Sequence, residues 1–201
     1  MIGLHKLLER RAGLLIFGIL LVSSIGGLVQ ILPVLFAPPP QSSAERYPPL
    51  ALAGRALYIR ESCALCHSQQ IRPLLAEVRR YGAASRPGEF IYDRPFLWGS
   101  KRTGPDLQRI GGKYSDAWHR LHLTRPRAVV PSSIMPAYPW LAERRVDGIA
   151  LQARMRGMRR LGAEYTDQEI AEAANTVAGK SELDAMVAYL QFLGRGGAPR
   201  Q

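Results

Sequence analysis

Cysteine is nearly absent: the 201 residues contain only Cys63 and Cys66, and histidine is limited to His5, His67, His119 and His122. That scarcity counts against a structural zinc site, which takes four ligands and would have to complete its set from histidines, the first of which precedes a long apolar run. Lysine is scarce as well. Four lysines beside 23 arginines, against 16 acids, leave a net charge of +11. Such a balance suits nucleic acid, anionic lipid or an acidic protein. The arginines form no run longer than two and no stripe interleaved with aromatics, so no nucleic-acid partner is expected. There is no internal repeat, and no shortage of apolar residues of the kind that marks disorder, since 47% are hydrophobic and 21% charged. The length suits one core with an appendage.

Charge is missing altogether from Ala12 to Phe36, AGLLIFGILLVSSIGGLVQILPVLF. At about 1.5 Å per residue, even the part before Pro33 covers a ~30 Å hydrocarbon layer, so one transmembrane helix is expected over 12–36. A cleaved signal peptide has a shorter apolar region ending at a small-x-small site, whereas this run ends at Ala37 before three prolines. Lys6, Arg10 and Arg11 crowd the amino-terminal flank, which places residues 1–11 in the cytoplasm and everything after the span outside, in the periplasm of a bacterial inner membrane. Ser23 and Gly27, with Gly13, Gly18 and Gly26, offer notches for a neighbouring helix, and Gln30 is better satisfied by protein than by lipid. Residues 37–49 read as a proline-rich linker, 50–196 as the soluble domain and 197–201 as a tail.

Both thiols fall in SCALCHS, with His67 directly behind Cys66. Cys-x-x-Cys serves as a dithiol redox pair, as half of a zinc site, or as two thioether anchors for a haem whose iron takes the next histidine. A thioredoxin-type pair follows a strand and opens a helix, yet this one ends an amphipathic helical stretch, ALAGRALYIRESCALCH. The haem assignment uses every residue of the motif: one covalent haem c on Cys63 and Cys66, with His67 on the iron. It also suits an oxidising compartment.

The other face of the iron decides between electron transfer and ligand binding. Met155 and Met158 lie in a basic helical stretch and Met186 in a helical repeat with Leu183, Val187, Leu190 and Leu193, so all three are expected in the core. Met135 lies in VVPSSIMPAYPW, where Pro136 holds it extended and Pro131 and Pro139 stiffen the loop; it is the expected second axial ligand. His119 and His122, three apart on a helix beginning at the N-cap Ser115, compete for that role and are expected instead to pack beside haem or partner.

Several long runs, RESCALCHSQQIRP, RYGAASRPGEFIYDRPFLWGSKRTGPDLQRIGGKYSDAWHRLHLTRPRAVVPSSIMPAYPWL and LGAEYTDQEIAEAANTVAGKSELDAMVAYLQFLG, resemble in order and spacing the monohaem membrane-anchored subunit (CcoO/FixO) of cbb3-type cytochrome c oxidases. The resemblance implies that His67 and Met135 are the axial pair. It implies a mainly α fold, one amino-terminal transmembrane helix plus a class I-like cytochrome c domain with long loops. Its partners would be a haem-copper catalytic subunit, a dihaem cytochrome c subunit, membrane lipid and a soluble cytochrome c as a further donor. The chain would relay electrons in respiratory oxygen reduction and catalyse nothing by itself. The cytochrome c subunit of nitric oxide reductase, and a haem sensor or peroxidase-like protein, are the alternatives.

Within that fold the first and last helices of the domain cross closely, and Gly54 with Tyr58 and Tyr189 with Leu190 are the candidate crossing residues. Ser181 is the expected N-cap of the last helix. Residues between His67 and Met135 are rich in Pro, Gly and aromatics and read as extended loop. Within them Lys101 and Arg102, in GSKRTGPDL, are candidates for haem propionates or a subunit contact, and Arg72, Arg125 and Arg127 are further candidates for the propionates.

Overall fold

The run of 25 uncharged residues forms one helix, and its bounds, Ala12–Phe36, coincide with the expected span. The computed structural model describes residues 2–36, 44–99 and 101–195, and the chain divides into two compact units, Met1–Pro40 and Gln41–Gln201. In the first unit, α1 (Ile2–Arg10) precedes α2 (Ala12–Phe36). On an exposed face of α1, His5 and Glu9 sit one turn apart at 3.2 Å. Over Ala12–Pro33 the mean hydropathy is 2.3, long and apolar enough to cross a membrane, and no residue of this stretch is buried against protein. Phe17 and Val22 are about two-thirds exposed, an arrangement that hydrocarbon, not water, stabilises.

The second unit is helical, with α3 (Pro49–Arg60), α4 (Leu75–Tyr81), α5 (Asp116–Thr124), α6 (Pro126–Val129), α7 (Trp140–Glu143), α8 (Gly148–Arg160), α9 (Asp167–Thr176) and α10 (Glu182–Phe192). Among the described residues there is no strand, only an isolated antiparallel bridge between Arg145 and Ser181. Local chemistry sets the helix starts. Pro49 opens α3 where its missing N–H is harmless. Ser115 caps α5 by accepting from the Trp118 N–H, Asp147 caps α8 through the N–H groups of Ile149 and Ala150, and capping boxes Thr166/Glu169 and Ser181/Asp184 start α9 and α10.

The first and last helices of this unit cross at Gly54. A Cβ there would lie 1.9 Å from the Ala185 carbonyl oxygen and 2.7 Å from the Tyr189 Cβ, so only glycine lets α3 approach α10 this closely. Tyr58 meets Tyr189 edge-on at 5.4 Å between ring centroids. Around this crossing Leu52, Leu57, Leu151, Met155, Met158, Ile170, Leu183, Met186, Val187 and Leu190 fill one core, and the three methionines expected there are buried. The packed unit starts slightly before Leu50. Tyr47 is buried in the core, its carbonyl accepts from the Tyr165 hydroxyl at 2.5 Å, and Arg46 pairs with Glu169.

Between His67 and Met135 the chain is mostly loop, as its composition suggests, interrupted by α4, α5, α6 and a 3-10 turn at Pro87–Phe90. Buried Arg55 pins part of it, donating to the Arg94 carbonyl at 3.1 Å and lying 3.3 Å from Asp93.

Candidate functional site

The two cysteines sit where α3 ends. Ser62 turns the chain with φ +59° into a 3-10 turn over Cys63–Leu65. The N–H groups of Cys66 and His67 then both bond to the Cys63 carbonyl, at 3.1 and 3.0 Å. Cys63 is half-buried against the core and Cys66 is exposed, and neither is in a disulfide. Burial pushes the Cys63 thiol up to about 12, and the neighbouring Glu61 carboxylate adds to the rise. A dithiol oxidoreductase needs the reverse, a thiolate stabilised at neutral pH. Cys63 is instead a protonated thiol held at a fixed place.

His67 is arranged as a metal-binding imidazole would be. Its Nδ1 lies 2.8 Å from the Pro105 carbonyl oxygen. A carbonyl can only accept, so Nδ1 carries the proton and Nε2 keeps a free lone pair, which is the usual outer-shell arrangement of a metal-bound imidazole. Burial lowers the His67 pKa and keeps the ring neutral. The segment that supplies the carbonyl is stitched to the motif: Gly104 N–H donates to the Cys66 carbonyl and Leu107 N–H to the Ser68 carbonyl, both at 2.9 Å. Gly104 runs against the ring itself. A Cβ on it would stand 2.3 Å from Cε1 of His67, so the backbone forms one wall of the imidazole's slot.

Met135 is half-buried and packs on the same core as Cys63 and Ala64. Its loop is tied down at three points: Met135 N–H to Ser133 Oγ at 3.2 Å, Tyr138 N–H to the Leu123 carbonyl at 2.8 Å, and Trp140 Nε1 to Glu61 Oε2 at 3.3 Å. The last contact joins the loop to the residue two before Cys63. Tyr138 lies close enough to the pair that burial, reinforced by Cys63 and Cys66, raises its hydroxyl pKa.

On α5, Tyr114 just before the helix, Trp118 and His122 stack in sequence, with centroids 4.0 and 4.7 Å apart. Burial lowers the pKa of His122, and nearby His67 lowers it further. Burial likewise keeps His119 neutral. His119 Nε2 and His122 Nδ1 are both buried without a hydrogen-bond partner, a loss that a native site seldom tolerates unless a further group is bound. Lys101 is exposed. Arg102 faces inward: its guanidinium donates to Ser68 Oγ at 2.6 Å and to the Gln70 carbonyl at 2.7 Å, and pairs with Glu77 at 2.6 Å. Arg72 also pairs with Glu77, and Arg125 and Arg127 are exposed.

These residues fit a haem. Two unbonded thiols three apart, a neutral imidazole with its Nε2 lone pair free and a thioether on a stiff loop tied to Glu61 make up the donor set such a group needs. Gly104, Pro105 and Asp106 belong to the site too, although spacing does not reveal them. Their only signal is the Gly-Pro-Asp triplet, which marks a tight backbone segment without saying what it packs against.

The helical domain, its motif and the membrane-length helix together fit a haem protein of the electron-transport class with a membrane anchor. Within it the chain belongs to the FixO family, the mono-haem subunit of cytochrome c oxidase, whose family model matches residues 5–181. No curated protein matches. The family is a subunit of an oxidase, so a haem and a catalytic partner subunit go with membership, and the apolar α2 fits the membrane anchor.

Proposed function

We propose that the chain is the membrane-anchored c-type cytochrome of a cbb3-type terminal oxidase, receiving electrons from a dihaem cytochrome c subunit or a soluble cytochrome c and delivering them to the haem-copper catalytic subunit. The observation that carries this is His67, locked by the Pro105 carbonyl with Nε2 free, directly behind the only two cysteines of a chain in the FixO family. When bound, the haem supplies a one-electron iron couple. Cys63 and Cys66 would hold it by thioethers. His67, through Nε2, and Met135 would be the ligands of its iron. With both ligands in place the chain would move electrons and perform no chemistry alone. Neutral His122, near His67, adds no competing charge to the site. Lys6, Arg10 and Arg11 keep the amino terminus in the cytoplasm, which puts the haem domain in the periplasm.

The test is purification of the complex. Mass spectrometry of this subunit should show one haem attached, and the complex should consume oxygen. Nitric oxide consumption in its place would move the chain to a nitric oxide reductase, and an unmodified mass would end the haem assignment. Met135→Ala should alter the reduced-minus-oxidised spectrum and open the iron to carbon monoxide; an unaltered spectrum would remove Met135 as ligand.

A further inference from the structure

We infer that Arg102 and Asp106 are positioning residues that set the reduction potential of the haem through His67, with opposite signs. The inference rests on the haem assignment above. Asp106 directly follows Pro105, whose carbonyl takes the imidazole proton. Its side chain is out of contact with solvent. Oδ2 accepts from the Ser68 hydroxyl at 2.6 Å and the Gln70 N–H at 2.9 Å, and Oδ1 accepts from the Gln108 N–H at 2.9 Å. Behind it stands Arg102, 3.6 Å from Asp106 Oδ2 and joined to it also through Ser68, whose oxygen accepts from Arg102 Nε while its proton goes to Asp106. Glu77 closes the row on the far side of Arg102, with Arg72 on its outer edge.

The row Asp106, Arg102, Glu77 therefore alternates in sign immediately behind the axial imidazole, and Ser68, Asp106 and Glu77 are each buried. Charges removed from water interact over several ångströms with little screening. Ferric haem carries one positive charge more than ferrous haem. A fixed negative charge at Asp106 favours the oxidised state, and Arg102 offsets it. If the row served only to fold the loop, neutralising either residue would loosen the Pro105 carbonyl and move the potential in one common direction. Acting by charge, the two substitutions move it in opposite directions.

The experiment compares midpoint potentials of the full-length, haem-loaded protein with those of Asp106→Asn, Arg102→Gln and Arg102→Lys. It also reads the His67 ring tautomer by nitrogen NMR in the haem-free proteins. Asp106→Asn should raise the potential and Arg102→Gln lower it, each changing the reduced-to-oxidised ratio at fixed potential by on the order of tenfold, about 59 mV for one electron. Arg102→Lys, which keeps the charge, should stay near the parent, and the Nδ1–H tautomer should persist throughout. If Arg102→Gln does not fold, Arg72→Gln, which removes a positive charge from the outer edge of the same row, should lower the potential in its place, by less because Arg72 is more exposed. Shifts in one common direction, no shift, or loss of the tautomer would each overturn the inference while leaving the haem assignment intact. A parent protein without attached haem would defeat that assignment itself.

Discussion

Replacing Gly104 by alanine probes whether the backbone is built against the face of the His67 imidazole. On the present backbone the new Cβ would lie 2.3 Å from Cε1, 2.7 Å from Nδ1 and 2.8 Å from Nε2 of His67. Carbon atoms rest about 3.5 Å apart, so ring or loop must yield by roughly 1 Å. The ring is held at 2.8 Å to the Pro105 carbonyl, and a further ångström takes that contact beyond about 3.6 Å, where it ceases to be a hydrogen bond. The loop is held by the Gly104 and Leu107 N–H bonds to the cysteine segment. Overpacking costs about 1–3 kcal/mol and the lost bond about 0.5–1.5 kcal/mol more. Denaturant unfolding of the detergent-solubilised protein should therefore show a loss of ~2–4 kcal/mol, with an altered haem spectrum and potential where haem still attaches. Gly157→Ala is the control. It lies inside α8 with no atom within 4 Å of the added Cβ, so it should stabilise by about 0.5–1 kcal/mol. A Gly104→Ala protein matching the parent in stability, spectrum and potential would refute the reasoning.

Gly54→Ala sets a methyl 1.9 Å from the Ala185 carbonyl oxygen. Because backbone faces backbone there, a loss of about 3 kcal/mol or more is expected, and a parent-like thermal melt would show that the helices do not cross as described. Tyr189→Phe removes the hydroxyl that donates to Gln69 Oε1 at 2.8 Å. Gln69 is buried and its Nε2 already lacks a partner, so about 1–3 kcal/mol should be lost; a neutral substitution would mean that water reaches the amide. Hydrogen bonding from Arg102, opposed by burial and helped by Arg72, holds the Glu77 carboxyl at about 2, down from 4.5. The folded state thus binds this proton less tightly than the unfolded chain. Its stabilisation is complete above pH ~4.5 and fades as pH falls towards ~2. Glu77→Gln should flatten that acid limb in a stability-against-pH series; an unchanged limb would contradict the pairing.

Local signals determined much of this protein before any packing was known. Twenty-five residues without charge specify α2 because hydrocarbon tolerates neither a charge nor an unpaired backbone group. Ser115, Thr166 and Ser181 specify helix starts because a hydroxyl answers N–H groups two or three residues on. The period of Leu183, Met186, Val187 and Leu190 specifies a buried face, and the spacing and context of Cys63, Cys66 and His67 suggest a haem motif. What the fold decided lies farther apart. Pro105 fixes the tautomer of His67 across 38 residues, and Gly104 closes on the ring through that same approach. Arg102 reads in sequence as a candidate for haem propionates or a subunit contact, and the fold turns it inward to Glu77, Ser68 and Gln70. Trp140 and Tyr138 bring the Met135 loop to the cysteine pair through Glu61 and Leu123. The physical reason is the range of each interaction. Propensity, capping and hydrophobic period act within a few residues and are written in order along the chain, whereas the partner of a hydrogen bond or a close backbone contact exists only once distant segments have packed.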